Sequence, residues 1–390
     1  MVISLAEIKA LVDEVVPWAI DLRRELHKWP EIGNQEYKTI ERIEAELDKM
    51  GIESEKILRT GIVACLGDMA AECIALRADI DGLPIEEKTD LPFRSVHEGY
   101  MHACGHDVHT SVLLGTAKLL SNIKRLINKQ VKFIFQPAEE TTGGAKRMIE
   151  TGCLKQPDVS SIYGLHVKPE IEAGKIGVKY GRVHASSVTF HIVIKGVASH
   201  GAIPDCGVDA LLVACQVVNS LQSIVSRSVS PLDSAVVTVG SIDSGKAANI
   251  ISDYAKIEGT LRSFSEKTKN LLKSKLESIA INTAKAFGAY AEVEFIEGYE
   301  ALINHDENVD KVKNVAKLIL GENNVIEIES PTMGVEDFSY YLNKVPGAFF
   351  FLGSGFPDRY NPPLHSANFN INEECIRTGI MLFTCLILQK

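Results

Sequence analysis

The 390-residue sequence has no run approaching the ~18 consecutive apolar residues of a membrane span. It has no stripe of lysine and arginine either, and its formal net charge is −10, so neither a bilayer nor nucleic acid is an expected partner. Its first residues, Met-Val-Ile-Ser-Leu-Ala-Glu-Ile-Lys, lack a basic stretch followed by an apolar core, and no signal peptide is expected. The 8 cysteines form no Cys-x-x-Cys pair, and most sit in apolar surroundings, as small core residues of a reducing compartment do. The cytoplasm is the simplest reading. Low-complexity segments and internal repeats are missing too. What remains, with 45% hydrophobic and 24% charged residues, is an ordinary globular composition on a chain long enough for two domains.

Against this background one stretch stands out. Met101-His102-Ala103-Cys104-Gly105-His106-Asp107-Val108-His109-Thr110 gathers three histidines, a cysteine and an aspartate in a chain holding 11 histidines in all. Thiolate, imidazole and carboxylate together are what a borderline-soft transition metal takes as ligands. Cys104 and His106 are separated by Gly105, and in an extended loop residues two apart face the same way. From Val108 the pattern turns helical, which puts the cluster in a loop entering a helix. The alternative is a polar loop around a buried free cysteine.

Short apolar runs at 61–66, 73–76, 131–135 and 162–165 alternate with helical patterns, beginning with helices at 4–28 and 36–50. This predicts an α/β layer with a largely parallel sheet. Three of the runs end in chemistry: Arg77-Ala78-Asp79-Ile80-Asp81, Gln136-Pro137-Ala138-Glu139-Glu140 and His166. Ligands of open α/β sheets bind outside the carboxyl ends of the strands, so these ends point to one site. The neighbours Glu139 and Glu140 point different ways if they continue a strand, so one can bind metal while the other works on water. A charged start to the next helix would read the same.

Near residue 186 the pattern becomes strictly alternating, the mark of a sheet covered on one side. A strand at 187–195, a helix at 208–225, strands at 235–241 and 254–261, a helix at 267–287 and a strand at 291–296 spell β-α-β-β-α-β, the ferredoxin-like unit. A helix at 308–320, a strand at 348–353 and a C-terminal helix from 373 resume the α/β pattern. The expected domains are therefore a discontinuous catalytic domain, 1–183 with 298–390, and an inserted lid and dimerisation domain, 184–297.

Nine motifs in order, at 77–84, 101–110, 135–144, 165–167, 199–202, 248–251, 259–262, 334–338 and 364–369, resemble the aminoacylase and hippurate-hydrolase branch of the dinuclear-metal amidohydrolases and metallo-carboxypeptidases. The resemblance implies a metal-dependent amidohydrolase that splits N-acyl amino acids of N-acetyl or N-benzoyl type. A water acidified by the metals would be the nucleophile and Glu139 the general base. It implies two divalent ions (zinc, manganese, cobalt or nickel) held by Cys104, His106, Glu140, His166 and His365. Five protein ligands are too few for two separate four-coordinate ions, so a bridging ligand would be shared. Arg77 stands where the wider family has a histidine, with His106 in its place, and Cys104 stands where others carry a bridging aspartate. Asp79 would act with Glu139 by orienting a ligand histidine. His200, Asn249 and Arg262 match substrate-binding positions of the lid, Arg262 for a carboxylate, and the lid implies a homodimer or higher oligomer. A dipeptidase or carboxypeptidase is the close alternative. A cysteine hydrolase using Cys104 is the distant one, and the Glu139-Glu140 pair counts against it.

Overall fold

The computed structural model describes residues 3–68 and 72–388. Two compact units result: residues 1–181 with 303–330 and 337–390, and residues 182–302 with 331–336.

The first unit is built on an eight-stranded sheet in the order Ser54–Ile57, Gly61–Leu66, Gln130–Gln136, Cys73–Asp79, Val159–Glu172, Gly347–Gly355, Ile176–Val178, Val325–Glu327. Its four central strands, Gln130–Gln136 through Gly347–Gly355, run parallel, while Ser54–Ile57 and Gly61–Leu66 join by antiparallel pairing. Three of the four, Cys73–Asp79, Gln130–Gln136 and Gly347–Gly355, are buried along their whole length, which is why they read as apolar runs instead of alternating. The helices Leu5–Lys28, His106–Asn122, Glu374–Leu388 and Asp306–Leu320 pack one on the next in a continuous layer. His106–Asn122 lies inside it and buries 14 of its residues, the polar ones of its first two turns included. None of the described helices is long and apolar enough to cross a membrane.

The second unit carries the β-α-β-β-α-β order as an antiparallel sheet, Ala235–Ser244, Tyr254–Ser263, Ser186–Lys195, Tyr290–Glu297. On Ser186–Lys195 burial alternates residue by residue, with Val188, Phe190, Ile192 and Ile194 inside. They pack with Val213, Val217 and Leu221 of the helix Ala210–Leu221 and with Leu272 and Leu276 of Glu266–Ala286. The single helix expected over 208–225 is two, Ala210–Leu221 and Ser223–Ser228. The serine hydroxyls at the break donate to helix carbonyls, Ser223 Oγ to Ser220 O and Ser226 Oγ to Gln222 O, the kind of back-bonding that bends helices.

Candidate metal centre

Strand register assembles the site. Cys73–Asp79 pairs in parallel with Gln130–Gln136, Asp79 opposite Gln136, and on its other side with Val159–Glu172, Arg77 opposite Gly164. Asp79, at the end of this pairing, and Asp81, Glu139, Glu140 and His166, beyond the paired residues, are thereby delivered to the same edge of the layer, where the strands' carboxyl ends lie. Onto that edge comes the start of the helix His106–Asn122, which begins two residues earlier than its hydrophobic pattern announced. Gly105 caps it at φ +83°, and a Cβ there would lie 2.4 Å from Val167 Cγ2. The tight turn at this glycine, not an extended segment, aims Cys104 and His106 together. Nor do the glutamates continue a strand. The strand stops at Gln136, Ala138 takes a left-handed φ of +58°, and Glu139 and Glu140 lie in the turn beyond.

Donor atoms converge within 4.8 Å of one another in overlapping groups: Cys104, His106 and His166; Cys104, Glu140 and His365; His106, Glu139 and Glu140. Cys104 belongs to both groups that together contain all five residues matched as ligands. Its Sγ lies 3.3 Å from His166 Nε2, and His365 Nε2 lies 3.1 Å from Glu140 Oε1 without hydrogen-bond alignment. His365 is itself left-handed at φ +64°, and its amide donates to Ala103 O, which ties its loop to the Cys104 turn. His166 Nδ1 sits 2.8 Å from Val167 O, the arrangement that leaves Nε2 free to ligate.

The donor set fits divalent cations. His106 Nε2 is buried with no hydrogen-bond partner among the described residues, while Nδ1 of the same ring is held by Asp81 Oδ1 at 3.1 Å. Asp79, Asp81 and Glu139 are buried and Glu140 nearly so, whereas the Arg77 guanidinium beside them is already committed to Asp79 and Asp337. Buried carboxylates in such number call for positive charge. In the ion-free protein this surplus shows in the titrations. Burial opposes a charged His106 ring, but Asp79, Asp81 and Glu140 outweigh it and push the ring up to about 10. Burial and then the Glu140 and Glu139 carboxylates push the Cys104 thiol well above its ordinary value, so a bound cation is what would make it a thiolate. Burial, with His109 and His106 adding, keeps His166 neutral and ready to ligate.

It is Asp81, not Asp79, that hydrogen-bonds His106. Asp81 Oδ2 also accepts the Glu140 amide at 3.0 Å, so one carboxylate fixes a ring and a backbone. Asp79 accepts from His109 Nδ1 through Oδ1 at 2.5 Å and from Arg77 through Oδ2 at 2.6 Å, and stands 3.8 Å from His106 Nε2. His109 Nε2 accepts the Val167 amide at 2.9 Å, so both its nitrogens are taken. Arg77 continues to Gln136 and Asp337, and Asp337 Oδ2 accepts the Ala145 amide. Asp81, His109 and this arginine network escaped the sequence reading. Asp81 had only a turn-like setting to announce it, and His109 only its place in the cluster.

His200, Asn249 and Arg262 belong to the second unit. The two-stranded ladder of Ser199–His200 with Ile250–Ile251 brings His200 and Asn249 together, the Gly201 amide donating to Asn249 O. Arg262 lies on Tyr254–Ser263, half-buried, with one guanidinium nitrogen on its neighbour's carbonyl, Leu261 O.

A model of peptidase family M20/M25/M40 matches residues 75–389. An N-acetylcysteine deacetylase of Bacillus subtilis is 38% identical over 367 residues, 93% of this chain and 94% of that one. A thermostable carboxypeptidase of Saccharolobus solfataricus is 36% identical over 392 residues, 98% of each. Among solved structures, a dinuclear metal-binding M20-family peptidase of Bacillus subtilis superposes with a TM-score of 0.83 at 33% identity, covering 96% of this chain and 98% of the other.

Proposed function

The chain belongs to peptidase family M20/M25/M40, and from that premise we propose that it is a two-metal amidohydrolase releasing free amino acids from N-acyl amino acids of N-acetyl or N-benzoyl type. The observation that carries the reading is Cys104, shared by two donor groups that between them hold His106, His166, Glu140 and His365, with Glu139 alongside. Divalent ions in such a set would supply Lewis acidity and bring the pKa of water down to ~7. Thiolate and imidazole ligands suit zinc, cobalt or nickel, and the carboxylate admits manganese.

The remaining steps are the chain's own. Glu139, buried and held near His106 and Glu140, takes the proton of the attacking water as the new C–O bond forms. It returns that proton to the amide nitrogen as the C–N bond breaks, so a carboxylic acid and an amine leave. Asp81 keeps His106 and the Glu140 backbone in register through both steps. Arg262, Asn249 and His200 are proposed for the substrate's carboxylate and carbonyl, so esterified or decarboxylated substrates should be poor. The protein is proposed to work as a homodimer through its second unit, in the cytoplasm.

A dipeptidase or carboxypeptidase activity is the second reading, favoured by the likeness to the Saccharolobus carboxypeptidase. A cysteine nucleophile is disfavoured, because burial and the Glu140 and Glu139 carboxylates raise the Cys104 thiol, the reverse of what a nucleophile needs. The test is a panel of N-acetyl, N-benzoyl and peptide substrates with each divalent metal, run on wild type, Glu139→Gln and Glu140→Gln. Glu139→Gln should keep metal and lose ~10²–10⁴-fold in rate, whereas Glu140→Gln should lose metal. Metal lost from the first variant and kept by the second would reverse the roles. Full turnover after chelation would end the metal reading.

A further inference from the structure

Resting on the amidohydrolase reading, we propose that Glu36 is a positioning residue of this site: its buried carboxylate holds Ala138 in the left-handed conformation that sets where Glu139 and Glu140 point.

Ala138 has no glycine's freedom, yet it sits at φ +58° immediately before Glu139. An L-residue with a Cβ occupies that region only when its surroundings impose it, and such residues gather at functional sites. Here the imposition is visible on both sides of the residue. The Ala138 amide donates to Glu36 Oε1 at 2.8 Å, and the Ala138 carbonyl accepts the Gly143 amide at 3.0 Å. The second bond closes the loop that contains Glu139 and Glu140. The first anchors it to a different part of the chain, 102 residues away.

Glu36 itself is placed unusually for this task. It caps the helix Tyr37–Lys49, where an acidic side chain ordinarily accepts an amide of its own first turn. It makes no such bond and turns inward instead, fully buried. Its Oε2 has no hydrogen-bond partner of ordinary geometry among the described residues. Burying a carboxyl group is costly, and an apolar side chain would serve packing better. The Glu36 acceptor oxygen, 2.8 Å from the Ala138 amide, is what holds the strained peptide, a task an apolar side chain cannot perform.

The segment around Glu36 is shaped to the same loop. A Cβ at Gly33 would lie 2.2 Å from Thr141 Oγ1 and 2.9 Å from Ala138 Cα, so only glycine allows this approach. Asn34, left-handed at φ +68°, donates to Thr142 Oγ1 and accepts from Arg147, which lies beyond the loop. The stretch from Gly33 to Glu36 is thus a brace laid against residues 138–142, and Glu36 is its contact with the strained peptide.

The experiment compares Glu36→Leu, Glu36→Gln and the double variant Glu36→Leu/Ala138→Gly, all in the metal-loaded enzyme. Amide hydrogen exchange over residues 136–144 is read beside kcat and KM. Glu36→Leu should speed exchange in that segment and lower kcat about 100-fold, the cost of a displaced catalytic group, with KM little changed. Glu36→Gln keeps an acceptor and should restore both the slow exchange and most of kcat. The double variant should regain part of kcat over Glu36→Leu, because glycine adopts φ near +58° without strain. Wild-type exchange and kcat in Glu36→Leu would overturn the proposal, as would a glutamine variant as damaged as leucine or a double variant no better than the single one. Should Glu36→Leu fail to fold, Glu36→Asp, which withdraws the acceptor by one methylene, takes its place with the same expected and overturning outcomes. If wild type turned over no N-acyl amino acid or peptide, the functional reading would fall while the exchange result still judged Glu36.

Discussion

Asp81 fixes two proposed ligands with one carboxylate, Oδ1 on the His106 ring and Oδ2 on the Glu140 amide. Groups that orient metal ligands in this way typically carry 10–100-fold of metal affinity, so Asp81→Asn should weaken metal binding by about that factor. A competition titration against a chromophoric chelator measures it, and unchanged affinity would remove Asp81 from the site. Glu36 adds a second residue-scale expectation. Burial first, and the Asp81 charge after it, push its carboxyl up from 4.5 to about 7 against the hydrogen bonds that lower it. A carboxyl raised in the folded state favours folding fully below its unfolded value and loses that contribution as pH rises through its folded value. In the metal-free protein the stability of Glu36→Gln relative to wild type should therefore grow by roughly 3 kcal/mol from pH 4.5 to above pH 7. Urea unfolding at both pH values checks this, and a constant difference between the two proteins would show that Glu36 does not titrate there.

At the scale of elements, the strand Gln130–Gln136 shows how an apolar run can conceal a charge. It reads as a buried strand and is one, yet Lys132 at its centre is also buried. Its ammonium donates to three carbonyls, Cys153 O at 3.0 Å, Lys155 O at 2.8 Å and Pro157 O at 3.0 Å. The lysine thus stitches the loop after the helix Gly144–Glu150 to the sheet. Lys132→Met keeps the length and removes the donors, stranding those carbonyls, and should cost about 3 kcal/mol by denaturant unfolding. A change below about 0.5 kcal/mol would mean that water replaces the lysine at all three. The helix His106–Asn122 teaches a different lesson. Its hydrophobic pattern was legible from Val108 onward, but its first turn carries His106, Asp107 and His109, polar residues whose burial depends on partners elsewhere in the chain.

For the whole molecule the expectation is self-association. In the second unit, the helix Ala210–Leu221 buries Val213, Val217 and Leu221 but leaves Leu211 43% and Leu212 46% exposed. Adjacent large apolar side chains on an open face suit a two-fold partner. Light scattering at micromolar concentration should report a dimer, and Leu211→Lys/Leu212→Lys should yield a monomer with an unaltered circular dichroism spectrum. A monomeric wild type would refute the dimer, and a double variant that stays dimeric would place the interface elsewhere.

The sequence by itself determined the layer architecture and the kinds of donor atom at the site. Hydrophobic period is a local property: the buried strands Cys73–Asp79 and Gln130–Gln136 and the alternating strand Ser186–Lys195 declare themselves within a few residues. The density of histidine and cysteine at 102–109 is equally local. Only the tertiary structure decided which carboxylate serves which ring. Asp79 and Asp81 are two residues apart in the same turn-like stretch, and nothing near them says that one takes His109 and the other His106. That choice follows from the parallel register that sets Asp79 opposite Gln136, and from the start of a helix packed across both strand ends. Glu36 is the extreme case. A glutamate at a helix start reads as a cap, and its bond to Ala138 exists only because folding closes 102 residues of chain between them.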